Sequence, residues 1–281
     1  ARDLLVLPGV ELVAADVHDE KILSAVLGGA TAAINLVGIL NERGHDGSGF
    51  RKAHVKLVEK LVAACQESGV HHLLHMSTLK ANAETGPSHY LRSNGAGEQA
   101  LKNLAGEELH YTIFQPSVIF GRGDSFINRF AQLLRWSPVL PLAKPKSRFA
   151  PVFVTDVARA FCVALGNHAA YEQTFQLYGP EEYSLEEIVA EIARILNRKR
   201  LIVSLPDSLS RIQAWLLDYV VPGKLFTMDN YHSLAVASVG TENGLAALGL
   251  EPTSMRVVVP GYLNDGNHQR LLSAFRREGR R

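Results

Sequence analysis

Cysteine is nearly absent from this chain of 281 residues, which has only Cys65 and Cys162. Both sit among apolar residues in helix-like stretches. That excludes a disulfide scaffold and a thiolate metal site, and it fits a reducing, cytoplasmic compartment. Both are expected to be small buried side chains. An excess of charge is also missing. The formal net charge is +1, which gives no ground for expecting a nucleic-acid partner. No uninterrupted apolar run approaches the ~20 residues that cross a bilayer. Metal-ligand spacing is missing too. His71 and His75 would share one face of a strand with His72 on the other, no carboxylate stands beside them, and no metal is expected. What remains is 47% hydrophobic and 20% charged residues, enough for a sizeable core.

Short apolar runs alternate with helical patterns through the first half. Val10–Ala15 reads as a strand ending at Asp16, followed by a helix from about Glu20 to Leu27. Ala32–Val37 reads as a strand ending at Gly38. Val55, Val58, Leu61, Val62 and Cys65 mark an amphipathic helix that Gly69 stops. His72–Ser77 is a strand, Leu91–Leu104 a helix, and Tyr111–Gln115 a strand closed by Pro116. Strands that are apolar on both faces and alternate with helices mean βα units in a parallel sheet. Such open sheets bind ligands beyond the carboxyl ends of their strands. The polar residues there, Asp16, Asn35, Ser77 and Thr78, are site candidates.

The pattern changes after Gly121. Pro138, Pro141, Pro145 and Pro151 punctuate a loop-rich stretch, and Val152–Val154 leads into a helix over Asp156–Leu165. Thr174–Tyr178 is a strand. Ser184 and Glu187 form a capping box for a helix burying Ile188, Ile192, Ile195 and Leu196. Beyond Leu205 comes a helical pair broken at Pro222-Gly223. Trp136 and Trp215 lie in apolar helical stretches and are expected in the core. The expected organisation is a sheet domain over residues 1–120 and a smaller α/β lobe over 121–281, interleaved with the last sheet strands.

Ser88-His89-Tyr90-Leu91-Arg92-Ser93-Asn94 resembles the Tyr-x-x-x-Lys segment of the short-chain dehydrogenases/reductases. A tyrosine and a lysine one helical turn apart point the same way. The ammonium lowers the phenol's pKa for proton exchange with a substrate hydroxyl and holds the nicotinamide ribose. Here Asn94 takes the lysine's place: it can bond a ribose hydroxyl but supplies no charge. Five further pieces follow the family's order. Asp16-Val17 resembles the adenine-binding acidic position, and Asn35-Leu36-Val37-Gly38 the cofactor-lining strand end. Met76-Ser77-Thr78 resembles the catalytic serine or threonine position. Gln115-Pro116-Ser117-Val118-Ile119-Phe120-Gly121 resembles the stretch facing the nicotinamide. Val154-Thr155-Asp156-Val157-Ala158 resembles a further family element. The chain is thereby identified as similar to extended, atypical members with a Rossmann-like doubly wound parallel sheet. The implied catalytic set is Tyr90, Ser77, Thr78 and Asn94. The implied cofactor contacts are Asp16, Val17, Asn35, Val37, Gly38, Tyr90, Asn94, Pro116 and Val118.

Phe120–Phe130, Leu225–Asn230 and Leu248-Gly249-Leu250-Glu251-Pro252-Thr253 resemble segments of the NAD(P)-binding accessory subunit of respiratory complex I and its bacterial relatives. That resemblance implies NAD or NADP, undecided between them, held in a structural or weakly catalytic role. It also implies a location peripheral to an inner membrane. Arg270, Arg276, Arg277, Arg280 and Arg281 make the tail basic, either a solvated end or a contact for a membrane surface or complex. The family's Gly-x-x-Gly-x-x-Gly pyrophosphate loop is absent. The expectation is a precursor with roughly 35–45 more residues, enough for the two first βα units. Gly44–Gly49 lacks a lysine and reads as a loop over the cofactor. The competing function is an active epimerase, dehydratase or reductase with Tyr90 as acid/base on a small-molecule substrate. A third is an interaction domain without cofactor.

Overall fold

The computed structural model describes residues 7–219 and 226–263. The first helix, α1 (Glu20–Leu27), is capped by Asp19, whose carboxylate accepts the N–H groups of Lys21 and Ile22. Strand β1 (Ala32–Asn35) follows. A helix then runs from residue 48 to 68 in three parts: α2 (Ser48–Arg51), a π turn (Lys52–Lys56) and α3 (Leu57–Ser68). Gly69 ends it in the left-handed region at φ 70°. Strand β2 (His72–Met76), helix α4 (His89–Leu104) and strand β3 (His110–Pro116) complete the first half.

The second half begins with β4 (Ile119–Phe120), α5 (Ile127–Trp136), β5 (Val139–Leu142), β6 (Arg148–Phe149), β7 (Val152–Phe153) and α6 (Val154–Ala164). Strand β8 (Gln173–Leu177) returns to the sheet. Then come β9 (Tyr183–Ser184), α7 (Leu185–Ile195), β10 (Leu201–Ser204), α8 (Asp207–Tyr219), α9 (Met228–Ser233) and α10 (Gly244–Ala247). The Ser184–Glu187 capping box opens α7 as its spacing predicts.

The main sheet has the order β1-β2-β3-β8, and every pairing is parallel. Alternation along each strand sends neighbouring residues to opposite faces. Ala33, Leu73 and Ile113 pack with Val58, Val62, Cys65 and Leu101 of α3 and α4. Leu74, Phe114 and Leu177 pack on the other face with Val157, Ala160, Phe161 and Leu245. This is the doubly wound Rossmann-like arrangement expected from the sequence. A separate core joins α5, α7, β5 and residues 255–263 around Ile127, Leu134, Ile188 and Ile192. Among the described residues, no helix is long and apolar enough to cross a membrane.

Four expectations need correction. Val10–Ala15 forms no strand and is exposed throughout. Its apolar alternation would need a neighbouring strand to bond, and none of the described strands pairs with it. Trp136 and Trp215 are not core residues, being 84% and 52% exposed. Apolar periodicity marks a helix face without saying what covers it. Cys162 is exposed, while Cys65 is buried in the α3 core, where desolvation pushes its thiol up to about 11. The 48–68 helix also holds a π turn that a 3.6-residue period does not reveal. The break at Pro222-Gly223, Leu225 and the basic tail lie outside the described residues.

Candidate functional site

Parallel pairing sets the carboxyl ends of β1, β2 and β3 side by side, with Asn35 opposite His75 and Met76 opposite Phe114. Asn35, Ser77, Thr78 and Pro116 thus emerge along one edge of the sheet. Asn35 is buried. Its Oδ1 accepts the Val37 N–H at 3.1 Å, and its Nδ2 donates to His75 Nδ1 at 3.1 Å. The loop beyond turns outward, leaving Leu36 61% and Val37 41% exposed. An apolar edge of that kind is where the flat face of a nicotinamide or adenine ring can lie. At Gly38 a Cβ would come only into ordinary contact, 3.7 Å from His54 Nε2.

Ser77 and Thr78 part company. Ser77 faces inward with Leu73 and His75 and donates its hydroxyl hydrogen to the Glu98 carboxylate. Gln115 Nε2 donates to the same carboxylate at 2.8 and 3.0 Å. Burial raises the Glu98 pKa. Thr78 instead stands close to the Tyr90 phenol. Tyr90 is half-buried, and desolvation raises its phenol pKa against the lowering effect of Thr78.

Asn94 is buried one turn beyond Tyr90. Its Nδ2 donates to the Tyr90 carbonyl at 2.9 Å, inside its own helix. Next to it lies His54, carried inward by the π turn. His54 Nε2 accepts the Ile39 N–H at 3.1 Å, so the proton of the neutral ring sits on Nδ1. Nδ1 donates to Ser93 Oγ at 2.8 Å, and Ser93 passes its own hydrogen to the Tyr90 carbonyl at 3.0 Å. One imidazole therefore ties the loop after β1 to the tyrosine helix. Burial lowers its pKa to about 4, so it stays uncharged.

The amino terminus of α4 is held from far along the chain. The Asp229 carboxylate accepts the His89 N–H at 2.6 Å and the Tyr90 N–H at 3.1 Å. The same segment has its own Thr227–Asn230 capping box, and Asn230 also donates to the Leu40 carbonyl at 3.4 Å. The Thr227-Met228-Asp229-Asn230 run is thus a clamp on Tyr90 and the loop after β1. Motif reasoning passed over His54 and Glu98, and it found Asp229 only as part of the Leu225–Asn230 segment, with no role at the site. Glu98 was open to detection, since it shares the helix face of Tyr90 and Asn94 at i+8 and i+4.

Asp16 and Val17 lie further out than Pro116 and Val118. Asp16 is exposed in a turn, where its carboxylate accepts the His18 N–H at 2.9 Å, and Val17 is 37% exposed. The Pro116 carbonyl accepts the Leu79 N–H at 3.0 Å, and the Val118 carbonyl accepts that of Val152 at 3.0 Å. Among the described residues no three His, Cys, Asp or Glu side chains come together as a metal site.

Residues 1–124 match a family model described as NAD(P)H-binding. The mouse protein "NADH dehydrogenase [ubiquinone] 1 alpha subcomplex subunit 9, mitochondrial" is 29% identical over 256 residues, covering 86% of this chain and 63% of its own length. A Caulobacter vibrioides protein called ceramide reductase is 27% identical over 198 residues, covering 70% of this chain and 60% of its own. The chain thus spans about three fifths of the length of these relatives. DesIV, a dTDP-glucose 4,6-dehydratase of Streptomyces venezuelae solved with NAD bound, superposes with a TM-score of 0.71 at 16% identity, over 94% of this chain and 81% of its own. That likeness shows the fold. Residues 1–124 thus form an NAD(P)H-binding domain, the fold is Rossmann-like, and the homologues include the subunit 9 proteins of mitochondrial NADH dehydrogenase.

Proposed function

We propose that this protein retains NAD(P)(H) as a structural or sensing ligand and runs no proton-coupled cycle on it at neutral pH. The observation carrying this reading is the chemistry around Tyr90. The position one turn on, where a lysine would lower the phenol's pKa, holds a buried neutral amide committed to the Tyr90 carbonyl. The neighbouring His54 is neutral as well. With the phenol's pKa raised rather than lowered, Tyr90 is a poor proton donor and a poorer base near pH 7.

The proposed nicotinamide contacts are Asn35, Val37 and Gly38 on one side, with Pro116 and Val118 on the other and Tyr90 and Thr78 between them. Asp16 and Val17 serve the adenine end. Asn94 keeps the tyrosine helix in shape instead of holding the ribose, and Ser77 orients Glu98 instead of a substrate. Residues up to 120 form the cofactor domain in this reading, and those from 121 form the lobe that meets a partner. The mouse relative is by name a subunit of a larger assembly, which supports attachment of this chain to a membrane complex.

A second reading, an active epimerase, dehydratase or reductase, is favoured by one observation, the placement of Thr78 beside the Tyr90 phenol. Tyr90→Phe separates the two. The retention reading expects nucleotide occupancy within about twofold of wild type and no turnover to lose. The enzyme reading requires wild-type turnover of a nucleotide-sugar or carbonyl substrate that falls roughly 100-fold or more in the variant.

A further inference from the structure

The lobe beyond Gly121 presents an apolar face to solvent. Leu201 pairs with Val139 and Val203 with Pro141 across the β5–β10 ribbon. Paired residues share a face, so Leu201, Val139 and Val203, exposed by 62%, 43% and 38%, form one apolar surface. The inward residues Leu140, Leu142 and Ile202 meet the core behind it. Trp136, three residues before the ribbon, stands almost wholly in solvent. Helix α8 is fastened to the ribbon by Gln213, whose Nε2 donates to the Pro141 carbonyl at 3.0 Å. Its buried side is Ser210, Ala214 and Asp218. The side turned away carries Ile212, Trp215 and Leu216, each close to half exposed or more. Trp215 stacks on Tyr219, which stacks on His45, so the apolar side of α8 belongs to the neighbourhood of the loop after β1. The ribbon and Trp136 form the apolar surface that something covers.

Charge indicates what covers it. Arg198 and Lys199 are exposed on the turn leading into β10, and Arg211 is exposed on α8. Arg200 donates to the carbonyls of Leu134 and Arg135, which sets this basic turn beside the end of α5 and Trp136. Across α5, the ribbon, residues 196–200 and α8, the acidic side chains are Asp207 and Asp218 alone. Asp207 is paired with Lys144 and Tyr231, and Asp218 with His45 and the Met228 amide. The face is therefore apolar and aromatic with a basic margin. That combination matches the boundary between anionic headgroups and acyl chains, where indoles settle and Arg or Lys meet phosphate.

We propose that the ribbon side of the lobe docks onto an anionic bilayer surface, with Trp136 entering the headgroup region and Arg198 and Lys199 bonding lipid phosphates. The contact is peripheral.

The test uses the whole protein with protein-free vesicles of phosphatidylcholine, with and without about one third phosphatidylglycerol. The expected result is sedimentation with the anionic vesicles only, a blue shift of tryptophan emission, and loss of both in high salt. Trp136→Ser, and separately Arg198→Glu with Lys199→Glu, should each weaken partitioning at least tenfold. Unchanged circular dichroism and unchanged bound nucleotide would show that these surface variants fold. The proposal is overturned if wild type ignores the anionic vesicles, including the case where it binds native membranes through a protein. It is equally overturned if only Arg276→Glu with Arg277→Glu in the tail abolishes binding.

Discussion

Gly97→Ala is expected to destabilise the protein by about 3 kcal/mol and to lower Tm by roughly 6–10 °C. Helix α4 crosses the 48–68 helix at the π turn, with the His54 backbone against Gly97. A Cβ there would lie far inside contact distance of the His54 carbonyl oxygen. Backbone cannot rotate away as a side chain can, so the two helices must part or the π turn must reset. Either change moves His54, and with it the bond to the Ile39 amide and the Ser93–Tyr90 link. Nucleotide affinity should therefore fall together with stability. Gly261→Ala is the control. Gly261 is exposed within the 255–263 helix, with open space where its Cβ would go. That change should be neutral or stabilise by up to about 1 kcal/mol. Urea denaturation of the two variants side by side checks the prediction, and equal midpoints would contradict it.

Mild acid should unfold the protein well before its carboxylates are fully protonated. His54, His72 and His75 are all buried and neutral, with pKa values lowered to about 4, in each case chiefly by desolvation. Their bonding opposes protonation. His54 Nε2 already holds the Ile39 amide hydrogen, and His75 Nδ1 holds one from Asn35. In the unfolded chain the same rings titrate near 6.5. The native state therefore binds fewer protons than the unfolded state between these values, and stability falls as pH drops. The contribution is complete above about pH 6.5 and gone near pH 4. At 1.36 kcal/mol per unit, each ring is linked to about 3 kcal/mol at most, and three together approach the whole stability of a typical domain. Tm measured from pH 7 to pH 4.5 should drop steeply, and His72→Gln should flatten the slope by roughly a third. A flat profile down to pH 5 would show that the rings are not buried neutral.

How much of this was legible in the sequence depends on how local the signal was. The βα alternation, the Ser184 capping box and the Gly69 stop depend on neighbours a few residues apart, and they were read correctly. A strand is different, because its bonds belong to another strand. Val10–Ala15 has the right pattern but no partner among the described strands. Trp136 and Trp215 sat in apolar stretches, yet which side of a helix is covered is decided by packing alone. Of the residues proposed for the site, Tyr90, Asn94, Thr78 and Asn35 are marked in the sequence by spacing and position at strand ends. Strand alternation alone would have turned Ser77 inward with Leu73 and His75. His54 was hidden because a π turn breaks the period that would have aimed it. Asp229 caps a helix some 140 residues away in sequence, a relation that only the folded chain displays.

The central claim is that this protein keeps a dinucleotide as a resident ligand. The most direct measurement is to purify it at its natural length without added nucleotide, denature it, and identify what is released by mass spectrometry. Near-stoichiometric NAD(H) or NADP(H) is the predicted result, and it would also decide between the two. No released nucleotide, with no binding when each form is added back, would contradict the account and leave a fold that has lost its cofactor.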